Sequence, residues 1–145
     1  MSAVDLAIAR LKTDEGFRAT KYLDSVGKLT IGYGFNIDAG ITQTAAEALL
    51  SAQTAALAKT LATYWWAAGL DDARLSVVVE MAFNDGLNGL LHFPLMLGAI
   101  GRKDWQSAHD ECLNSDAAHM LPTRYNALAQ ILLTGVCNGQ AQAVA

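Results

Sequence analysis

The residues of this chain most suited to chemistry are two acids near its N-terminus, Glu15 and Asp24. Glu15 falls where a helix is expected to end, with the aromatic residues Phe17 and Tyr22 nearby. An apolar setting favours the protonated form of a carboxyl group, so Glu15 could donate a proton near neutral pH. Asp24 lies in an expected hairpin turn, a wetter place in which a carboxylate stays ionised. Glycoside hydrolysis uses two such carboxyl groups in unlike environments, one as the acid and one as the base or nucleophile.

Thr30 lies on the expected returning strand of that hairpin, where its hydroxyl could hold a water molecule. Spacing alone does not establish catalysis, because acidic residues are common near helix ends and Asp24 suits an ordinary turn. At this point both interpretations stay open.

The segment from residue 20 to residue 36 is expected to form a β-hairpin. Its apolar residues alternate with small or polar neighbours, and Asp24-Ser25-Val26-Gly27 supplies the turn. Gly32 and Gly34 within it suggest a backbone that bends, or that another group approaches closely. A helical pattern precedes the hairpin and runs to about Asp14.

The rest of the chain is expected to be helical. A long helix opens at Thr42 or Thr44, where Thr44 and Glu47 have the spacing of a capping box, and it runs to about Thr63. Shorter helices are expected at about 71–84, 87–91, 94–101, 104–114 and 122–134. Their starts are marked by capping or first-turn residues: Asp71, Asp104, Thr123 or the turn before it, Pro94 and Pro122.

Together these elements predict one α+β, mainly α domain spanning residues 1–145. A small hairpin-bearing lobe at about 14–42 is joined by the long connecting helix at about 42–63 to a helical lobe. That lobe covers about 71–135 and includes the N-terminal helix. A cleft between the two lobes is the natural ligand site.

Composition and charge exclude several classes of protein. Ten basic against fourteen acidic residues give a net charge of -4, without a basic stripe, so no nucleic-acid partner is expected. The stretch from Met1 to Leu11 carries Asp5 and lacks the basic start and apolar block of a signal peptide. No stretch predicts stable insertion in a membrane.

The residues that commonly bind metals do not form a ligand set. Cys112 and Cys137 are interpreted as reduced thiols, with a disulfide left open. His92, His109 and His119 are far apart, lack Glu or Cys at ligand spacing, and suit surface or capping positions. Neither a metal nor a cofactor is predicted.

One part of the sequence closely resembles a known active-site segment. Residues 14–18, 22–24 and 27–34 resemble that segment in the phage-type lysozymes, glycoside hydrolase family 24. In that family, eight residues separate a Glu from an Asp, and five more separate the Asp from a Thr. This Thr begins a Thr-Ile-Gly-x-Gly strand. Looser landmarks of the same family follow after residue 75: Met81-Ala82-Phe83-Asn84-Asp85-Gly86, Phe93, Trp105, Pro122-Thr123-Arg124 and Thr134-Gly135.

The resemblance implies a muramidase, which cuts the β-1,4 bond between N-acetylmuramic acid and N-acetylglucosamine in bacterial peptidoglycan. It implies that Glu15 is the general acid, while Asp24 and Thr30 place the attacking water. Inversion at the anomeric carbon is then expected, which requires carboxyl groups roughly 6.5–9.5 Å apart.

The resemblance also implies supporting residues around this trio. Arg124 matches an arginine that pairs with the catalytic Glu, although an exposed first-turn arginine would need no such role. Phe83 matches a residue near the bound sugar, although core packing would also explain it. Tyr33 and Asn36 are further candidates for substrate binding.

The chain departs from the family at one position near the expected cleft and in its overall charge. Members often have His directly after the Gly-x-Gly, whereas this chain has Phe35, which removes an ion-pairing option. Its acidic balance differs from that of the strongly basic members.

The biology that the resemblance implies is that of an endolysin. Such an enzyme is expected to act as a monomer and to wait in the host bacterial cytoplasm until a separate holin admits it to the wall. Two other interpretations stay open, a lytic transglycosylase and a catalytically inactive peptidoglycan-binding module. The presence of Asp24 and Thr30 argues for water as the nucleophile, and the intact trio argues against a mere binder.

Overall fold

The computed structural model describes residues 2–137, and the chain divides into two compact units, Met1–Ala48 and Leu49–Ala145. Helices dominate, and one small antiparallel sheet accompanies them, which confirms the α+β, mainly α prediction. The elements in chain order are α1 (Ala3–Glu15), β1 (Arg18–Leu23), β2 (Leu29–Gly32), β3 (Phe35–Asn36), α2 (Gln43–Leu61), a 3-10 turn (Trp65–Ala67), α3 (Asp72–Leu91), α4 (Pro94–Gly101), α5 (Trp105–Leu113), α6 (Asp116–Met120) and α7 (Pro122–Thr134).

Helix α1 is fixed at both ends by local chemistry. Ser2 caps its start, since its Oγ accepts the backbone N–H of Asp5 while the Asp5 carboxylate accepts that of Ser2. The helix ends at Glu15, because Gly16 adopts a φ of +67° that most residues avoid. The predicted end at Asp14 is therefore correct to within one residue.

The predicted hairpin forms, and a third strand extends it. Strands β1 and β2 pair antiparallel with a bulge between Arg18 and Tyr22, and β3 pairs with the other edge of β2. The turn from β2 to β3 contains Gly32 and Gly34, both at positive φ, so the bend that these glycines suggested is present. Residues 20–36 thus hold two consecutive turns rather than one.

The predicted capping box of the long helix is wrong. Thr42 caps α2, because its Oγ1 accepts the backbone N–H of Ala45, and the helix begins at Gln43. Thr44 is already helical, and the Glu47 carboxylate accepts a hydrogen bond from the Gln43 side chain at 2.7 Å instead.

The starts of the later helices follow their predicted signals with one exception. Asp71 and Asp104 cap α3 and α5 through their carboxylates. Pro94 and Pro122 occupy the first turns of α4 and α7. Thr123 does not cap α7, whose N-cap is Leu121 without a side-chain hydrogen bond.

The predicted break between residues 84 and 87 is present inside α3. Gly86 has a non-helical conformation, with φ 75° and ψ 162°, so the helix is interrupted there. Helix α6 and the 3-10 turn were not predicted, because elements this short show no hydrophobic periodicity.

The larger unit contains the apolar core. Helix α7 packs against α5 and α3, and α4 packs against α5. The largest fully buried side chains are Leu61, Met81, Leu90, Met96, Ile100, Leu132, Val77, Val78 and Cys112. Burial also raises the pKa of the Cys112 thiol to about 11, so at neutral pH it stays protonated. Both cysteines are free, as the sequence suggested.

Arg74 of α3 is the main polar link within this unit. Its guanidinium donates to the backbone carbonyls of Leu132 and Leu133 at 2.8 and 3.1 Å, which are free because they lie in the last turn of α7. It also pairs with Asp71 and lies 4.0 Å from the centre of the Trp105 ring. Although burial opposes the ionisation of Asp71, hydrogen bonds from Arg74 lower its pKa.

Among residues 2–137, no helix combines the length and the apolar content needed to cross a membrane.

Replacing Arg74 with Met should lower the free energy of unfolding of the larger unit by roughly 2–3 kcal/mol, because charged hydrogen bonds to the end of α7 are lost. Urea unfolding followed by tryptophan fluorescence measures this, since all three tryptophans lie in that unit. Arg102→Met is the matched control: Arg102 is exposed and should change stability by less than about 0.5 kcal/mol. Equal effects of the two substitutions would contradict the role of Arg74.

Candidate active site

Glu15 is the last residue of α1, and its carboxylate lies against the turn between β2 and β3. An ideal Cβ at Gly34 would stand 2.7 Å from Glu15 Oε2 and 3.0 Å from its Cδ. A side chain at this position would require the Glu15 carboxylate to move, and the φ of +80° is a second reason for glycine there. The close approach that the two glycines suggested is therefore made by Glu15 itself.

The apolar surroundings expected for Glu15 are not found in the part of the chain that the structure describes. Glu15 is exposed. The Phe17 ring packs on Tyr33 instead, with ring centres 5.4 Å apart, and Tyr22 lies under the Arg18 guanidinium. The aromatic residues near Glu15 in sequence are thus occupied by other partners.

Asp24 is held by the turn that it opens. Its Oδ1 accepts the backbone N–H groups of Val26 at 2.9 Å and Lys28 at 2.8 Å. Its own backbone N–H donates to the carbonyl of Lys28 at 2.9 Å. Within residues 2–137, Oδ2 accepts no protein hydrogen bond, so one carboxylate oxygen is fixed and the other is available to a water or a substrate.

Thr30 is buried, with 3% of its surface exposed. It lies in the middle strand, paired with Tyr22 on one side and Asn36 on the other. Its hydroxyl donates to the carbonyl of Lys28 at 3.0 Å. A threonine hydroxyl has one hydrogen and two lone pairs, so Thr30 can still accept a hydrogen bond.

The peptide groups of Lys28 connect these two residues. The N–H of Lys28 binds the Asp24 carboxylate, and its carbonyl accepts from both the Asp24 backbone and the Thr30 hydroxyl. Asp24 and Thr30 therefore form one hydrogen-bonded set with the turn.

Glu15 and Asp24 lie near opposite ends of strand β2. The Asp24 turn leads into Leu29 at its start, and Gly34, which Glu15 contacts, follows Gly32 at its end. With a rise of about 3.3 Å per residue, the backbone of the strand spans roughly 10 Å.

Tyr33 and Asn36, the other candidates in the smaller unit, have structural partners. The Tyr33 ring contacts Phe17, and the Lys12 ammonium lies 5.9 Å from its centre. Asn36 Oδ1 accepts the backbone N–H of Asp38 at 3.0 Å, which stabilises the following turn.

Phe83 lies on α3 in the larger unit and is 42% exposed, so it is not a core residue. It forms one wall of a groove of about 400 Å³ with side chains of α2 and α3. The other lining residues are Gln53, Ala56, Leu57, Thr60 and Ala82. An exposed aromatic ring flanked by an amide and a hydroxyl is suited to contact with a sugar ring.

Arg124 lies in the first turn of α7, and its side chain is 45% exposed. Its Nε is 3.9 Å from an oxygen of Glu80 on α3. The neighbouring Tyr125 donates a hydrogen bond to Asp85 at 2.9 Å. Burial raises the pKa of the Tyr125 phenol, and the hydrogen bond to Asp85 raises it further, so the phenol stays protonated.

His92 and His119 occupy the surface or capping positions predicted from the sequence, whereas His109 is partly buried and hydrogen-bonded. His92 and His119 are exposed, and His109 links Asp110 at 2.7 Å to Gln130 at 3.2 Å. Over the described range 2–137, no group of three or more His, Cys, Asp or Glu side chains is placed to hold a metal ion.

Several contacts in these regions were not predicted from the sequence. They are the links through Lys28, the approach of Glu15 to Gly34, and the pairs Arg124–Glu80 and Tyr125–Asp85. Only the second had a sequence signal, namely the two glycines of the β2–β3 turn.

Comparison with known proteins identifies the family of the chain. The sequence model of the phage lysozyme family matches residues 12–126, a range that includes both acids and Thr30. The chain is also similar to the probable T4-type lysozyme 1 of Dictyostelium discoideum. The two are 29% identical over 161 aligned positions, which cover 88% of this chain and 94% of the relative. The chain therefore belongs to the phage lysozyme family, and it is a lysozyme and a hydrolase.

Proposed function

We propose that this lysozyme is a muramidase that hydrolyses the β-1,4 bond between N-acetylmuramic acid and N-acetylglucosamine in peptidoglycan, with inversion at the anomeric carbon. The observation that carries the proposal is the Asp24–Lys28–Thr30 hydrogen-bonded set, which leaves acceptor positions on both side chains. The family match supports the substrate class.

The direction of these hydrogen bonds determines how the attacking water would bind to Asp24 and Thr30. Because the Thr30 hydroxyl uses its hydrogen on Lys28, it can only accept from a water, and Asp24 Oδ2 can only accept as well. A water that donates one hydrogen to each has its lone pairs directed away from both. It is then oriented for attack on an anomeric carbon, and Asp24 takes the proton that the water loses.

Glu15 supplies the other proton. It protonates the glycosidic oxygen as the bond to the anomeric carbon breaks, so one proton leaves Glu15 and one arrives at Asp24 in each turnover. The placement of the two acids near opposite ends of β2 supports separate roles for them, one as the acid and one as the base. Because Gly34 has no side chain, the space next to the Glu15 carboxylate stays open on that side.

The remaining candidates take supporting roles in this proposal. Arg124 supports the reaction of the catalytic Glu, while Phe83 contacts a bound sugar within its groove. Tyr33 and Asn36 border the substrate near the β2–β3 turn. The chain forms a single lysozyme-like domain.

The biological setting that we propose is host lysis by a phage endolysin. The enzyme acts as a monomer, remains in the host cytoplasm, and reaches the wall after a separate holin opens the membrane. A T4-type relative from Dictyostelium means that family membership alone does not assign the chain to a phage. This setting therefore rests on the resemblance of the active-site segment to that of the phage enzymes.

Analysis of the products tests the reaction itself. Purified peptidoglycan treated with the protein should yield new reducing ends on N-acetylmuramic acid, seen by borohydride reduction and mass spectrometry. A lytic transglycosylase would give 1,6-anhydro ends instead, because the sugar's own hydroxyl replaces water. A binding module would give no new ends, and either result would contradict the proposal.

Glu15→Gln should lower the rate of hydrolysis by at least about a hundredfold, because the amide cannot donate the proton. Asp14→Asn is the matched control, since it removes one negative charge from the same end of α1 and should leave the rate nearly unchanged. Clearing of permeabilised cells measures the rate of hydrolysis, and circular dichroism checks that the fold is intact. An active Glu15→Gln variant would refute the assignment of the acid.

Thr30→Val should lower kcat by about tenfold or more, while Thr30→Ser should remain active, because only the hydroxyl can accept from the water. The Lys28 carbonyl keeps its hydrogen bond from the Asp24 backbone in both variants, so the loss of stability should stay near 1 kcal/mol. Release of soluble muropeptides measures kcat, and thermal unfolding measures stability. Equal activity of the Val and Ser variants would exclude a role for Thr30 in placing water.

A further inference from the structure

A buried tyrosine next to Arg124 joins two segments of the larger unit. Tyr125 is 2% exposed, and its ring stacks on Phe93 with centres 6.4 Å apart and planes 12° apart. Its hydroxyl donates to Asp85 Oδ2 at 2.9 Å. The ring thus contacts the start of α4, and the hydroxyl binds α3.

Two glycines lie close to Asp85 in α3. Gly86, directly after it, takes the non-helical conformation that interrupts α3. An ideal Cβ at Gly89 would stand 2.8 Å from the Asp85 Cβ, closer than side chains allow, so a larger residue at 89 would displace Asp85. The local backbone is therefore adapted to the Asp85–Tyr125 hydrogen bond.

The bond joins the segments that carry two of the proposed site residues. Asp85 follows Phe83 closely on α3, and Tyr125 follows Arg124 directly on α7. Within residues 2–137, the only ion pair of the Arg124 side chain is with Glu80 at 3.9 Å, and both side chains are nearly half exposed. Such exposed pairs stabilise a structure little, whereas a hydrogen bond to a charged group stabilises it more. The position of Arg124 thus depends mainly on its neighbour.

We infer that Asp85 and Tyr125 are positioning residues for the lysozyme reaction: their hydrogen bond fixes the first turn of α7 against α3 and so sets the position of Arg124. This inference rests on the proposed role of Arg124. The pair touches no reacting atom and acts only through Arg124.

The first test replaces each partner of the bond. Tyr125→Phe keeps the ring and removes the hydroxyl, and Asp85→Ala removes the acceptor. Each should lower kcat about tenfold with KM changed less than twofold, because a small displacement of a catalytic group acts on the transition state. Asp85→Asn should restore kcat, since its amide oxygen still accepts the phenolic hydrogen. The assay uses soluble, uncrosslinked glycan strands, well below the unfolding temperature of every variant.

The second test separates positioning from general stability. In an Arg124→Gln background, Tyr125→Phe should cause no further loss of kcat, because no arginine is left to direct. A merely structural role would lower kcat by the same factor in both backgrounds, and that result would overturn the inference. So would an unchanged kcat for Tyr125→Phe, full activity of Arg124→Gln, or an Asp85→Asn variant as weak as Asp85→Ala.

Glu15→Gln, assayed in parallel, keeps the two proposals distinguishable. If it is inactive while Tyr125→Phe equals the wild type, only the positioning inference fails. If it is active, the proposed function fails, and the dependence of Tyr125→Phe on Arg124 still decides the inference.

Discussion

The candidate active site depends on the backbone of one residue, Lys28. Its N–H fixes the carboxylate of Asp24, and its carbonyl takes the only hydrogen of the Thr30 hydroxyl. The turn therefore leaves Asp24 Oδ2 and the Thr30 hydroxyl oxygen available as acceptors. The proposed hydrolysis rests on a water that donates to both of them.

The smaller unit achieves this order without a large apolar core. Of residues 2–48, Thr30 is the only one that is buried, and the position of Glu15 depends on a glycine turn. Backbone hydrogen bonds and positive-φ glycines thus replace side-chain packing in this unit. An added methyl group at Gly34 would meet the catalytic candidate directly, so the turn and the acid constrain each other.

The larger unit is organised in the opposite way. Apolar packing among α3, α4, α5 and α7 supplies its stability, and a few partly buried polar contacts link the helices. Arg74 binds the last turn of α7, and Tyr125 binds α3 from its first turn. Both ends of the helix that carries Arg124 are therefore tied to α3, which also carries Phe83.

The sequence by itself determined the elements whose causes are local. Nearby residues account for the ends of α1 and α7, the caps at Asp71 and Asp104, the interruption at Gly86 and the bend at Gly32 and Gly34. The spacing of Glu15, Asp24 and Thr30 is a property of the sequence itself. The Thr44 capping box failed because Thr42 offered the same chemistry two residues earlier. Only the tertiary structure decided that Glu15 lies on Gly34, that Asp85 binds Tyr125, and that Phe83 borders a groove. Those partners are distant in sequence, and they meet only after packing has fixed the helices and strands that carry them.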